Sequence, residues 1–228
     1  LPVNRLETIS QWIQYAEWAL RDAKEQGRGR TIKATTTLNE NRKTQFYIEN
    51  GLATAVKLKQ FFLLFQPLVR LSDRKIIGAE ALLRWQHPEI GVISPQHFIP
   101  VAEETGAIAP MTAWVLESAC LDALTWSDSV SNGEFFLSVN LSPSQFYDPN
   151  LVDEIYELIS AMGFPAKSLK LEITEGIVLQ DTEHNKETLE RLMKLGVGLA
   201  IDDFGTGYSS LAYLKNFPVQ QLKIDKTF

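Results

Sequence analysis

The sequence predicts an α/β protein whose parallel strands gather as in a βα barrel. Two observations carry this. From about residue 58 onward, apolar stretches of strand length alternate with stretches of helical period, the order that builds a parallel sheet covered by helices. Polar residues also interrupt five successive strand-like runs near their C-terminal ends: Glu80 after "KIIGA", Asn140 after "FFLSV", Glu172 after "SLKL", Asp202 and Asp203 after "VGLAI", and Lys223 within "QQLKID". A charged group facing a core is costly unless it is paired or metal-bound, so the repetition points to one shared site. In a βα barrel such strand ends converge on the face that bears active sites. An open doubly wound sheet, the alternative, gathers only the residues near its switch point.

The elements follow in order. "LETISQWIQYAEWALRDAKEQGRGR" reads as a helix, with Ile9, Ile13, Ala16, Trp18, Ala19 and Leu20 near helical spacing and Gly27 ending the run. "KATTTLNENRKT" reads as a linker, and a second helix is predicted from about Lys43 to Lys59. "FFLLFQPLVRL" and "KIIGAEALLRW" read as two strands around a turn at "SDR". "HFIPVAEETG" and "MTAWVLESACLDALTW" read as helices. Then come strand "FFLSVNL", helix "NLVDEIYELISAMG", strand "SLKLEIT", helix "EHNKETLERLMKLG", strand "VGLAIDDF", short helix "SSLAYLKNF" and strand "QQLKIDK". The strands read as apolar on both faces, as in an interior sheet.

Composition narrows the function classes. The 228 residues, 45% of them apolar, suit one large domain, or one domain and part of another. A formal net charge of −6 argues against binding a DNA or RNA polymer through a basic face. The single cysteine, Cys120, fits a buried helical position and a reducing compartment. No apolar run approaches the roughly 18 residues of a membrane span, and no signal peptide opens the chain. A cytoplasmic setting is expected, with tethering of a longer chain to a membrane through upstream segments as an option. His87, His97 and His184 show no metal-ligand spacing and read as surface or loop residues.

The interrupting residues comprise four carboxylates, one amide and one lysine. Hard oxygen donors without Cys or His select Mg²⁺, Mn²⁺ or Ca²⁺. The adjacent Asp202 and Asp203 repel unless they share cations, and two metals about 3.5–4 Å apart form a clamp for phosphoryl chemistry. Lys223 is placed to orient water or to offset developing charge. The alternative is that Asp202 and Asp203 cap the next helix, with Gly205 and Gly207 making the turn. "GTGYSS" lacks the third glycine and the lysine of phosphate-cradling loops, and reads as a loop over the metal site. Arg84 can fork onto a substrate phosphate or form a surface ion pair. Gln66 can read a base edge or satisfy a backbone group.

At "EALLRW" the sequence resembles the EAL domain family, bacterial cyclic di-GMP phosphodiesterases. The likeness extends through "FQPLV", "SPQHFIPVAEETG", "SVNLSPSQF", "LEITE", "DDFGTGYSSL" and "LKID", across roughly residues 58–228. It implies a TIM-like (β/α)8 barrel whose first strand is antiparallel. It implies two metal ions, Mg²⁺ or Mn²⁺, with Glu80, Asn140, Glu172, Asp202 and Asp203 as ligands. Lys223 is similar to the lysine that contacts the catalytic water. Glu175 is similar to the glutamate that holds the "DDFGTGYSS" loop, and Gln66, Leu83 and Arg84 match positions that contact the dinucleotide. Glu80, Asp203, Glu175 and Lys223 are thus the implied catalytic set. The implied activity is metal-dependent hydrolysis of cyclic di-GMP to linear pGpG in second-messenger signalling. A non-hydrolytic cyclic di-GMP receptor and a dimerising scaffold are the alternatives.

The resemblance also bears on organisation. The family pattern continues with a further glutamate in an "EGVE"-like strand, so an EAL domain truncated at its C-terminus, with about six strands, is expected over 58–228. "AEWALRDAKEQGRGR" resembles the last helix of GGDEF domains, the diguanylate cyclase family; a plain capping helix is the alternative. The expected organisation is a GGDEF-like tail at 1–36, a linker and lead-in helix at 37–57, and the EAL domain thereafter. Upstream GGDEF or sensor domains are expected in the full chain. A homodimer is expected through helices near the Asp202–Ser210 loop, with Tyr208 to Phe217 at the contact.

Overall fold

The computed structural model describes residues 8–25, 27–33, 36–126, 135–179, 182–205, 219–225 and 227. Two helices open it, α1 (Ile9–Glu25) and α2 (Thr36–Ala55). The residues read as a linker are helical from Thr36 onward. Among the described side chains of α2, Ile48, Leu52 and Ala55 are buried, a narrow stripe at helical spacing. The helix also stops at Ala55, short of Lys59, whose φ of 52° lies in the left-handed region. In α1 the apolar residues Ile9, Ile13 and Leu20 face outward, and only Ala19 of the expected stripe is buried.

β1 (Phe61–Val69) and β2 (Ile76–His87) form an antiparallel pair in a register that sets Gln66 opposite Glu80 and Phe61 opposite Trp85. β2 runs seven residues past Glu80, so Glu80 lies within its strand rather than at the end. That extra length pairs with β3 (Gly91–Ile93), a short strand unforeseen in the sequence. Helices α3 (Pro95–Thr105) and α4 (Ile108–Leu124) follow, then β4 (Phe136–Asn140) and α5 (Pro143–Phe146). Next come α6 (Leu151–Met162), β5 (Leu169–Thr174), α7 (Glu175–Leu179), α8 (Glu183–Leu195), β6 (Gly198–Phe204) and β7 (Gln221–Ile224). The short helix read at "SSLAYLKNF" and the dimer contact expected at Tyr208 to Phe217 lie outside the described residues.

All strands belong to one seven-stranded sheet of order β1-β2-β4-β5-β6-β7, with β3 attached to β2. Beyond the antiparallel β1, the strands from β2 to β7 are parallel along that path. Among the described residues the order follows the chain without reversal and shows no topological switch point, which argues against the doubly wound alternative. Among the described residues β1 and β7 remain the sheet's two edges, and the barrel is not closed.

Alternation along the strands divides the sheet's faces. Leu137, Val139, Leu169, Leu171, Ile173, Leu199 and Ile201 are all buried in the main core with residues of α4, α6 and α8. The other face carries Ser138, Asn140, Lys170, Glu172 and Asp202, in step with a period of two. The expectation of strands apolar on both faces is therefore corrected: one face packs on helices and the other is polar. A second core joins α2, the β1–β2 pair, α3 and the start of α4 through Ile48, Phe61, Trp85, Phe98 and Met111.

Cys120 is buried in α4, and burial pushes its thiol up to about 12, away from nucleophilic use. His87 is buried rather than a surface residue. Its ring centroid lies 4.8 Å from that of Tyr47 and 5.7 Å from that of Trp85, and its Nδ1 accepts from the Glu89 amide at 3.2 Å. His97 and His184 are exposed, as read from the sequence.

Gly78 shows how tightly the sheet is packed. A Cβ there would stand 2.6 Å from the Phe136 carbonyl oxygen, a backbone atom of the paired strand. Gly78→Ala is expected to lower unfolding stability by about 1–3 kcal/mol, as overpacking does. Gly176→Ala, in α7 with nothing within 4 Å, is expected to be neutral or to stabilise by up to about 1 kcal/mol. Denaturant unfolding of the two variants side by side checks the contrast; equal stabilities would refute it.

Candidate metal centre

Four parallel strands deliver the polar cluster. β2 supplies Glu80, β5 Glu172, β6 Asp202 and β7 Lys223. Carboxylate oxygens of Glu80, Glu172 and Asp202 lie within 4.8 Å of one another. The Lys223 ammonium joins them: Nζ donates to Glu80 Oε2 at 3.0 Å and to Glu172 Oε2, and forms an ion pair with Asp202 Oδ1 at 3.1 Å. From β4, Asn140 Nδ2 donates to the other Glu80 oxygen at 2.8 Å. The Glu172 side chain is 0% exposed.

Charge balance explains the titration. Burial pushes the Glu172 carboxyl up against the opposing pull of Lys223. Burial acts to lower the Lys223 ammonium, but its bonds to Glu172 and Glu80 prevail and hold it above 10.5. The two directions are compatible, because a buried acid resists ionisation while a cation among acids resists losing its proton.

The donor set fits a divalent cation. Glu172 Oε1 is buried without a hydrogen bond of good geometry, the Ser138 hydroxyl being near enough only to favour the charged carboxylate weakly. Hard oxygens from three strands surround the same point, as Mg²⁺, Mn²⁺ or Ca²⁺ requires.

The other sequence-derived residues are placed as follows. Asp203 follows Asp202 but stands outside the cluster of three, exposed and at a φ of 52°. That left-handed turn lies where the β6–β7 register shifts, between Ile201 and Phe204. Such strain in a non-glycine residue gathers at functional sites. Desolvation raises the Asp203 pKa, followed by the charges of Asp202 and Asp225. Glu175, at the start of α7 and buried, accepts from the Gly205 amide at 3.2 Å and so grips the beginning of the loop after β6. The helix that Asp202 would cap lies outside the described residues, and Asp202 itself is engaged with Lys223.

Gln66 is exposed beside Glu80 on the same face. Arg84, four residues on from Glu80, is half-buried and donates from Nη1 to the Leu83 carbonyl at 2.7 Å. Among the described residues no carboxylate pairs with it. Leu83 falls on the opposite face of β2, packed against both cores, whereas Leu82 shares the face of Glu80 and Arg84. A cavity of about 350 Å³ beside these residues is lined by Leu83, Arg84, Asn140 and Glu103 among others.

Three residues of this face went unread in the sequence. Ser138, Lys170 and Gln221 lie two positions before Asn140, Glu172 and Lys223. The signal available was the strand period itself, which places each on the face of its partner.

A sheet of sequential parallel strands with an acid cluster on one face defines a barrel-type α/β domain with a candidate divalent-metal centre. The comparisons with known proteins agree: the family model described as EAL domain matches residues 49–228, and the chain belongs to the EAL domain family. It is 40% identical over 222 residues to the bifunctional diguanylate cyclase/cyclic di-GMP phosphodiesterase MucR of Pseudomonas aeruginosa, covering 97% of this chain and 32% of that protein. It is 33% identical over 226 residues to the cyclic di-GMP phosphodiesterase PA2567 of the same organism, covering 99% and 38%. Among solved structures, the MucR phosphodiesterase in complex with c-di-GMP matches with a TM-score of 0.74 at 41% identity, over 79% of this chain and 72% of that one. The chain spans about a third of the length of these two curated relatives. No helix among the described residues is long and apolar enough to cross a membrane.

Removing the cation from this cluster is expected to be costly. Lys223→Met, without added metal, should lower stability at neutral pH by about 3–5 kcal/mol, the range for breaking a buried charge pair. In the wild type Lys223's contribution is fully present below 10.5, its unfolded value, and is lost as pH rises through its higher folded value. Glu172, raised by burial, opposes folding once pH exceeds its usual value, so the variant's deficit should shrink in acid. Urea unfolding from about pH 5 to about pH 9 checks this; a pH-independent deficit would contradict it.

Proposed function

We propose that this domain hydrolyses cyclic di-GMP to linear pGpG with two divalent cations, Mg²⁺ or Mn²⁺, at the Glu80–Glu172–Asp202 cluster. The observation that carries the reading is that cluster: three carboxylates within 4.8 Å, one of them buried with an oxygen that lacks a hydrogen bond of good geometry. Likeness to MucR and PA2567, whose names state this activity, supports the substrate. When bound, the cations supply neutralisation of phosphate charge and acidification of water.

The chain's own groups then have assigned tasks. Glu80, Asn140, Glu172 and Asp202 hold one face of the centre, and Asp203 extends it toward a second ion. With cations on those carboxylates, the Lys223 ammonium would be free to donate to water and to charge developing on the phosphodiester. Arg84, on the face of Glu80 and free of any carboxylate among the described residues, forks onto a phosphate. Gln66 and Leu83 belong to the same substrate-contact set, Gln66 from beside Glu80 and Leu83 from the wall of the adjoining cavity. Glu175 positions the loop after β6 through Gly205. A homodimer through the helices near the Asp202–Ser210 loop, upstream GGDEF or sensor domains, and a cytoplasmic setting complete the reading on family resemblance.

Incubating the full-length protein with cyclic di-GMP and Mg²⁺ or Mn²⁺ tests the reading. Release of pGpG is expected, and Glu80→Ala and Asp202→Ala should each reduce kcat by at least about 100-fold while leaving the fold intact. Binding without turnover would instead identify a receptor. Arg84→Ala separates substrate from metal. Nucleotide affinity should fall roughly 10- to 100-fold, the size of one charged hydrogen bond, with metal affinity unchanged. Parallel titrations of nucleotide and metal decide it, and equal losses in both would make Arg84 a structural residue.

A further inference from the structure

β7 is the least secured strand of the site. It has four residues, meets the sheet along one edge among the described residues, and its register with β6 slips between Ile201 and Phe204. Yet it carries Lys223, whose ammonium must meet carboxylates from β2, β5 and β6 together. A ladder so short and irregular does not fix a side chain to that accuracy.

Lys170 supplies a second hold. It lies on β5 two residues before Glu172, and therefore on the same face, one layer deeper. Its neighbour across the ladder in β6 is Gly198. A Cβ at Gly198 would lie 3.4 Å from Lys170 Cε and 2.9 Å from Gln220 Oε1. The missing side chain leaves the path by which Lys170 crosses β6. Beyond it, Nζ donates to Gln221 Oε1 on β7 at 2.6 Å. The same ammonium sits 3.6 Å from the centroid of the Phe136 ring on β4, a cation–π distance. That ring packs against Gly78 of β2, where a Cβ would meet Phe136 carbons at 3.0 and 3.1 Å. Two glycines and a ring thus shape a channel around a single side chain that links β4, β5 and β7. Burying an ammonium is unfavourable, and here an amide oxygen, an aromatic face and the charge of the nearby Glu172 offset the cost.

We propose that Lys170 is a positioning residue for Lys223: by holding Gln221, two residues upstream on β7, it sets where the strand presents Lys223 to Glu80, Glu172 and Asp202. The kinetic consequence rests on the hydrolytic reading of the site; the hold on β7 does not.

The test uses the full-length protein with Lys170→Met, which keeps the stem and removes the donor, and Gln221→Met, which removes the acceptor and leaves the charge. Hydrogen exchange at the amides of residues 222–224 should quicken about tenfold in both variants while β4 and β5 exchange as in the wild type. In turnover of cyclic di-GMP, kcat should fall about tenfold in both, with KM within about twofold. The double variant should be no slower than either single one, and Lys170→Arg, which retains a donor, should recover most of the rate. Wild-type exchange at β7, faster exchange spread evenly over the sheet, or losses that add in the double variant would overturn the proposal. Should Lys170→Met fail to fold, Gln221→Met alone carries the test. Should the wild type itself not turn over, the hydrolytic reading fails and the exchange data judge the hold on β7 by themselves.

Discussion

The structure depends on one electrostatic arrangement, a lysine ammonium inserted among three carboxylates from three strands. Carboxylate oxygens of Glu80, Glu172 and Asp202 within 4.8 Å of each other repel by about 3–4 kcal/mol per fully charged pair at an effective dielectric near 20. Without a cation, the strands that bear them would carry that repulsion at neutral pH. Lys223 supplies that cation from β7, a strand distant in sequence from Glu80 by 143 residues. The site therefore forms only once the whole parallel run from β2 to β7 is in place. Local strand formation cannot create it.

This requirement shapes both faces of the sheet. The helix-facing side is uninterrupted Leu, Val and Ile, which lets α4, α6 and α8 bury the central strands and make them rigid. The opposite side gives up apolar burial to hold Ser138, Asn140, Lys170, Glu172, Asp202 and Lys223. Core packing thus supplies the stability that the polar face spends. Where the chain leaves β6 the backbone is left-handed at Asp203, and the bond from Gly205 to Glu175 anchors the next residues. A strained acid beside an anchored loop start is consistent with a site that must accommodate charge rather than with a spare stretch of surface.

The fold and the acid cluster were legible in the sequence because both are periodic signals. Alternating helix and strand patterns gave the parallel order, and polar residues in apolar runs marked the converging face. What failed was information that depends on distant partners. The first turns of α2, from Thr36, looked like a linker because they are polar, whereas the later part of α2, which carries the buried Ile48, Leu52 and Ala55, reads as a helix. α1 showed a helical stripe, but periodicity does not say which side a neighbour covers, and Ile9, Ile13 and Leu20 are exposed. His87 looked peripheral until β2 proved long enough to carry it under Tyr47 and onto Trp85. Lys170 was hidden inside "SLKLEIT", since its partner Gln221 lies 51 residues away.

The choice between hydrolase and receptor turns on Glu172. A domain that only recognised a cyclic dinucleotide would need donors and cations for its phosphates and flat surfaces for its bases. It would gain nothing from a fully buried carboxylate with one oxygen lacking a hydrogen bond of good geometry, because burying a charged acid is costly. Replacing that glutamate with an apolar residue would relieve the cost without touching Arg84 or Gln66. A hydrolytic centre explains the burial directly. An acid kept dry binds a hard cation more strongly than one in water, because the low dielectric that penalises its lone charge strengthens its attraction for a metal. On the proposed reading, Lys223 would neutralise the acids in the absence of a cation and would be available to the phosphodiester when the acids hold one. The short, separately held strand that carries it is the feature such an exchange requires.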